Sequence, residues 1–94
     1  MQTQTPLVKN ENKNRFECDL QNGKTGFVKY EEKDDSMRLT YSEVPEEIRG
    51  QGYGKAMVKK TLNRIEQMDK KVEPKCSFVE HVMDENPHWD HLRS

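Results

Sequence analysis

The residues of this chain best suited to binding chemistry are Arg49-Gly50-Gln51-Gly52-Tyr53-Gly54-Lys55. Three glycines alternate with side chains, and an amphipathic run, Ala56 to Asp69, follows at once. Upstream lies a strand-like segment, Leu39 to Val44, closed by Pro45. Glycine lets the backbone come close to a ligand with no Cβ in the way. A helix start adds N–H groups without helical partners and the positive end of the dipole. Strand, glycine loop and helix therefore point backbone donors at an anion, and we read the loop as a pyrophosphate cradle. The simpler alternative is a tight strand-to-helix turn, for which one glycine would suffice. Two more side chains suit a reaction. Glu43, at the strand end, is the carboxylate best placed to take a proton, unless it is a surface charge or a structural acceptor. Cys76 precedes a second expected helix, where a thiolate is favoured and can act as nucleophile; buried filler is the other use of a free cysteine.

The elements that must hold these residues follow from periodicity. Leu7-Val8-Lys9 suits a short edge strand, and residues 10–14 are turn-rich. From Arg15 to Leu20 the chain alternates, with Phe16, Cys18 and Leu20 on one face. Asn22-Gly23 signals a hairpin, since a type I′ turn needs φ > 0 at both central positions. Lys24 to Glu32 returns with Val28 and Tyr30 on one face and Phe27 on the other. After a turn at 33–36, Met37, Leu39 and Tyr41 alternate on the next strand. From Gly52 the period changes to about 3.6. Met57, Val58, Leu62, Ile65 and Met68 form one stripe of a Gly52–Asp69 helix, with Lys55, Lys59, Lys60 and Arg64 mostly off it. Lys70 to Lys75 leaves room for a short strand ended by Pro74. Ser77-Phe78-Val79-Glu80 has capping-box spacing and opens a second helix, with Phe78, Val82 and Met83 as its apolar contacts. Asn86-Pro87 ends it, and Trp89 and Leu92 tuck the tail in. The expected fold is α+β: an antiparallel meander sheet, one long helix after the glycine loop, then a short strand and a second helix.

Composition bounds the rest. A chain of 94 residues has room for one small domain, 1–94, with residues 1–6 frayed. Charged residues make up 35% and hydrophobic ones 31%, so the core is thin, yet the apolar residues are patterned and the net charge is only -1. That balance gives no electrostatic case for nucleic acid or membrane partners. No apolar run approaches the ~20 residues that span a bilayer. The first fourteen residues are too polar for a signal peptide, so a cytoplasmic location is expected. Cys18 and Cys76 are then reduced thiols, Cys18 in the core. His81, His88 and His91 read as surface, and no metal pattern is evident.

Two familiar phosphate loops do not fit. A P-loop needs its first glycine where Arg49 stands and a hydroxyl where Ala56 stands. A dinucleotide fingerprint needs Gly-x-Gly-x-x-Gly in an early βαβ unit with a second parallel strand; here the spacing is Gly-x-Gly-x-Gly and the preceding strands form hairpins. Arg49-x-x-Gly52-x-Gly54, with Val44 five residues before Arg49, instead resembles the acetyl-CoA motif of the GNAT acetyltransferases. Arg15-Phe16, Asn22-Gly23, Tyr30, Glu43-Val44-Pro45, Arg49-Gly50-x-Gly52, Cys76-x-Phe78 and Asn86-Pro87 together resemble the minimal single-domain GNAT-like subfamily, over Val8 to Leu92. Members often carry His-Thr where this chain has Tyr41-Ser42, which leaves the roles of residues 41 and 42 open.

The resemblance implies an acetyltransferase with acetyl-CoA as cosubstrate, no metal, and an unknown amine acceptor, small molecule or protein. It implies that the N–H groups of Gln51, Gly52, Tyr53, Gly54 and Lys55 hold the pyrophosphate, within a loop that includes Gly50. Arg49 would brace the loop or meet phosphate, and the Val44 N–H would bond the acetyl carbonyl. Lys59 and Lys60 either reach the 3′-phosphate of CoA or form a solvated helix face. Glu43 would be the base, and Cys76 would accept acetyl or line the thioester pocket. Full-size relatives have helices between their first two strands; this chain has short polar turns, so the acceptor side should be open. The alternatives are a non-catalytic acyl-CoA-binding or regulatory module, and a plain interaction domain with a vestigial loop.

Overall fold

The computed structural model describes residues 7–20 and 23–94. Met1 to Pro6, expected to fray, and Asn22, half of the expected Asn-Gly turn, lie outside the described residues. Five strands form one sheet in chain order: β1 (Leu7–Asn10), β2 (Arg15–Asp19), β3 (Thr25–Glu32), β4 (Ser36–Glu43) and β5 (Lys71–Pro74). The first four are antiparallel neighbours, and β5 lies parallel to β4. Helix α1 (Tyr53–Gln67) makes that parallel crossover, and α2 (Ser77–Glu85) follows β5. The α+β meander expected from periodicity is present. The parallel pairing of β5 adds to it: the glycine loop does stand in a βαβ unit, and only its spacing sets it apart from a dinucleotide loop.

Period-2 alternation explains which sheet face is buried. Phe16 pairs with Val28, Tyr30 with Leu39 and Met37 with Val72, and all six are at most 4% exposed. Cys18 shares that face, where burial pushes its thiol pKa up. Helix α1 lays Met57, Val58, Leu62 and Ile65 on this face, and α2 adds Val79, Val82 and Met83. Trp89 and Leu92 close the end as expected. Each such side chain contributes roughly 1.5–3 kcal/mol of transfer free energy. Gly26 belongs to the same packing: a Cβ there would meet the Met57 Sδ at 2.8 Å and the Glu43 carbonyl at 3.0 Å. The opposite face carries polar and charged side chains, with Val8 and Tyr41 as its exposed large apolar groups.

The reading of Tyr41 as the third member of the Met37–Leu39 face is overturned. Tyr30 pairs with Leu39 but Lys29 pairs with Tyr41, so Thr40 is an extra residue in β4. Such a bulge inverts the alternation beyond it. Tyr41 and Glu43 consequently share the open face with Phe27 and Lys29, while Ser42, opposite Val28, turns toward the helices.

Helix ends also differ from the sequence reading. α1 stops at Gln67 because Asp69 adopts φ 62°, the left-handed conformation that ends helices. Ser77 does not cap α2: Cys76 holds the cap position, and no side-chain capping bond forms. The Cys76 N–H is pinned to the Leu39 carbonyl at 2.9 Å, so the chain cannot turn helical before Ser77. The C-terminal end is capped by Asn86, whose side-chain amide donates to the Val82 carbonyl at 2.7 Å.

Glu32 ties the sheet to the end of α1. It accepts from Lys70 at 2.6 Å and from Lys9 at 2.9 Å. The Lys70 bond, then the Lys9 bond, hold its carboxyl below the ordinary carboxylate range. A depressed carboxylate contributes stability above its unfolded pKa of about 4, lost as pH falls through the folded value. Urea midpoints should therefore be flat from pH 7 to 5 and fall below pH ~4. Glu32→Gln should remove part of that acid slope, with about 0.2–1 kcal/mol lost at pH 7 after solvent screening. An identical slope in the variant would show that other carboxylates carry it.

Candidate active site

The site opens where β4 and β5 part. Pro74 has no N–H to continue the ladder, and the Lys75 and Cys76 N–H groups both donate to the Leu39 carbonyl, at 3.0 and 2.9 Å. Their pairing ends at Leu39–Pro74, and β4 continues to Glu43 without β5 beside it. The gap is a cleft of about 560 Å³. Tyr41, Ser42, Glu43 and Val44 line it from the β4 side, Arg49, Gly50, Gly52, Gly54 and Lys55 from the loop, and Phe78 from α2.

Two of the loop's glycines answer to the backbone and the third to packing. Gly50 has φ 82° and Gly52 φ 87°, conformations that cost other residues about 1–2 kcal/mol. At both, a Cβ would meet nothing within 4 Å. Gly54 has an ordinary φ, but its Cβ would press the Phe78 ring at 3.2 Å. Glycine count alone therefore does not separate a cradle from a tight turn. The N–H groups do. Among the described residues, no backbone N–H from Gly50 to Lys55 donates to a protein acceptor; the first bond of the helix runs from the Ala56 N–H to the Gly52 carbonyl at 3.1 Å. No side chain caps α1. A row of unpaired donors at a helix N-terminus beside open space fits a pyrophosphate. Arg49 braces this loop: its Nε donates to the Val44 carbonyl at 2.8 Å. The Val44 N–H makes no backbone bond among the described residues.

The other side chains divide between the cleft and its surroundings. Lys55 lines the cleft and pairs with Glu85 at 3.1 Å, which lowers the Glu85 carboxyl pKa. His81 sits 3.2 Å from the same carboxylate. Gln51 and Tyr53, expected among the pyrophosphate donors, do not line the cleft, nor do Lys59 and Lys60. Glu43 accepts from the Tyr41 hydroxyl at 2.9 Å, and that bond raises the Tyr41 pKa. Cys76 is half-buried with its Sγ 3.4 Å from the Ser42 Oγ; Ser42 lines the cleft and Cys76 does not. His91 pairs with Glu66 and His88 stacks on Trp89, as surface residues do. Sequence reasoning left Ser42 and Tyr41 without roles and saw Phe78 only as core. Their place at the cleft depends on the bulge and on the β5–α2 junction, which leave no local signal.

Residues 15–92 match the family model described as GCN5-related N-acetyl-transferase. The chain belongs to this family. The GNAT resemblance read from the loop is thereby established at the level of the family, and with it acyl transfer as the family's chemistry and acetyl-CoA as its usual cosubstrate. The fold agrees with an NMR structure of a GCN5-like protein from Staphylococcus aureus, itself only provisionally an N-acetyltransferase. That match has a TM-score of 0.69 at 21% identity and covers 99% of this chain and 91% of the other. At that identity the likeness carries the fold alone. No curated protein matches the chain. No described helix is long and apolar enough to cross a membrane.

Proposed function

We propose that this GNAT-family domain binds acetyl-CoA in the β4–β5 cleft and transfers its acetyl group to an amine. The observation that carries the reading is the row of unpaired N–H groups from Gly50 to Lys55, where the loop enters α1 and where Gly50, Gly52, Gly54 and Lys55 line that cleft. These donors would hold the pyrophosphate, with Lys55 adding a positive charge. Bound there, acetyl-CoA supplies an acetyl group activated as a thioester; transfer breaks its C–S bond, forms the C–N bond to the amine and leaves CoA as the thiol. Arg49 keeps the loop closed on Val44. The free Val44 N–H is a donor for a carbonyl oxygen gaining negative charge, an interaction stronger in the transition state than before it. Glu43 takes the proton that the attacking amine must lose, and Tyr41 fixes the carboxylate for that task.

Direct transfer is supported better than a covalent route. An acetyl group on Cys76 would have to reach a sulfur that rests against Ser42 and does not line the cleft. The test is release of CoA from acetyl-CoA with a panel of amines, together with intact mass. Glu43→Gln should slow release at saturating amine by about 10²–10⁴-fold, the usual worth of a positioned base. Cys76→Ala should stay within a few-fold of the parent with no acetyl adduct in either. A stable adduct lost in Cys76→Ala would establish the covalent route. Acetyl-CoA binding without turnover of any amine would mark a binding module.

A further inference from the structure

The open face of the sheet is ordered in rows. Cross-strand pairing sets Val8, Glu17, Phe27 and Glu43 side by side from β1 to β4. The next row of that face holds Asn10, Arg15, Lys29 and Tyr41. The charged side chains of the first row are acidic and those of the second are basic. The rows lie two residues apart on every strand, about 6.6 Å. At their centre the Arg15 guanidinium stands 4.3 Å from the Phe27 ring centre, and Phe27 and Tyr41 pair at 6.0 Å. Helices α1 and α2 pack on the other face. On this one Val8 is 53% and Tyr41 48% exposed.

An antiparallel sheet commonly keeps one face in water, and for that any order of charges serves. Separate acidic and basic rows do something more, because they make the face complementary to itself. Consider a two-fold axis in the plane of contact, running along the rows and midway between them. It lays each strand over its own copy with the two rows exchanged. Glu17 then faces the partner's Arg15, Phe27 faces the partner's Lys29, and Glu43 faces the partner's Tyr41, each contact made twice. An axis along the strands would instead set acid over acid and base over base. Facing sheets cross at about 30°, so the register holds best at the centre, on β2 and β3, where Glu17, Arg15, Phe27 and Lys29 stand. Phe, Tyr and Arg are also the residue types enriched in interfaces.

The area sets the strength. Four strands about 4.8 Å apart and some 20–25 Å long cover roughly 500 Å² a side, or roughly 1,000 Å² in all. That is the size of a weak, reversible contact and too small for an obligate one. We infer that the open face is the contact of a weak two-fold homodimer, packed sheet to sheet with the acidic row of each copy on the basic row of the other. The pairing needs neither acetyl-CoA nor an acceptor, so it stands apart from the acetyl-transfer reading. It does set a partner beside each cleft, since Tyr41 and Glu43 line it.

Sedimentation velocity of the full chain tests it, from about 10 µM to 1 mM, the range of a contact this small. The chain should dimerise reversibly at low salt and less at high salt, where exposed charges are screened. Lys29→Glu and Glu17→Lys should each raise the dimer Kd by at least about tenfold, because each sets like charges across the axis. Mixed one to one, the two variants should dimerise with each other nearly as the parent does. In that pair one set of rows is unchanged, and in the other the new acid and the new base are neighbours. Thermal melts check that both variants fold. Should Glu17→Lys fail to fold for loss of its 2.7 Å bond with Arg15, Phe27→Lys, which faces the partner's Lys29, replaces it in the mixture. A monomer at every concentration would overturn the inference. So would a dimer that neither substitution weakens, which would lie on another surface, or a mixture that does not recover.

Discussion

Gly52→Asp is expected to lose acetyl-CoA binding by at least a hundredfold while remaining folded. Gly52 is the cap residue of α1, in a left-handed conformation, with open space where its Cβ would stand. A carboxylate there has two effects on an anionic ligand. It accepts from the first-turn N–H groups, as acidic caps do, and so occupies the cradle from within. It also sets like charges side by side, which costs several kcal/mol; about 2.7 kcal/mol is a factor of 100. The backbone strain must be separated from the charge, and Gly52→Ala does this. Alanine carries the same unfavourable φ, costing roughly 1–3 kcal/mol, with no charge. Titration calorimetry should give Gly52→Ala a much smaller loss of affinity than Gly52→Asp. The Asp variant should be the more stable of the two without ligand, because it caps its own helix. Equal affinities in both variants would mean that the loop is a turn and nothing more.

Leu62→Ala is expected to have the largest effect on stability. Leu62 is fully buried in the stripe by which α1 packs on the sheet. Leu-to-Ala changes in cores cost about 2.7–5 kcal/mol, from lost transfer energy and the cavity left behind. Small domains are stable by only about 5–15 kcal/mol, so half of the total is at stake. For a domain of this size each kcal/mol shifts Tm by about 4–8 °C, which gives a fall of roughly 11–40 °C. The urea midpoint should fall with m unchanged, the mark of a native-state loss rather than a changed unfolded ensemble. A loss under about 1 kcal/mol would show that α1 is not anchored through this stripe. Because α1 carries the loop at its first turn, acetyl-CoA should raise the variant's Tm by mass action wherever the folded state still binds.

The sequence alone determined the parts that rest on local periodicity and local backbone chemistry. The alternation of Phe16 and Cys18, and of Val28 and Tyr30, reported a half-buried sheet because successive strand side chains point to opposite faces. The stripe from Met57 to Ile65 reported α1 in the same way. The glycine loop was legible because positive φ at Gly50 and Gly52 and close packing at Gly54 disfavour other residues. The tertiary structure decided what depends on partners far along the chain. Thr40 looks like any strand residue; only its pairing with β3 makes it the extra one, and that single residue moves Tyr41 and Glu43 to the open face. Ser77 has capping-box spacing, but Cys76, bonded to Leu39 across the strands, holds the cap position one residue earlier. Arg49 holds Val44 across the loop, and Ser42 meets Cys76 across the gap. Local sequence sets which backbone shapes are affordable to each segment. The path that brings β4, the loop and α2 around one cleft is set by long-range pairing and packing, and with it the side of the sheet on which Tyr41 and Glu43 stand.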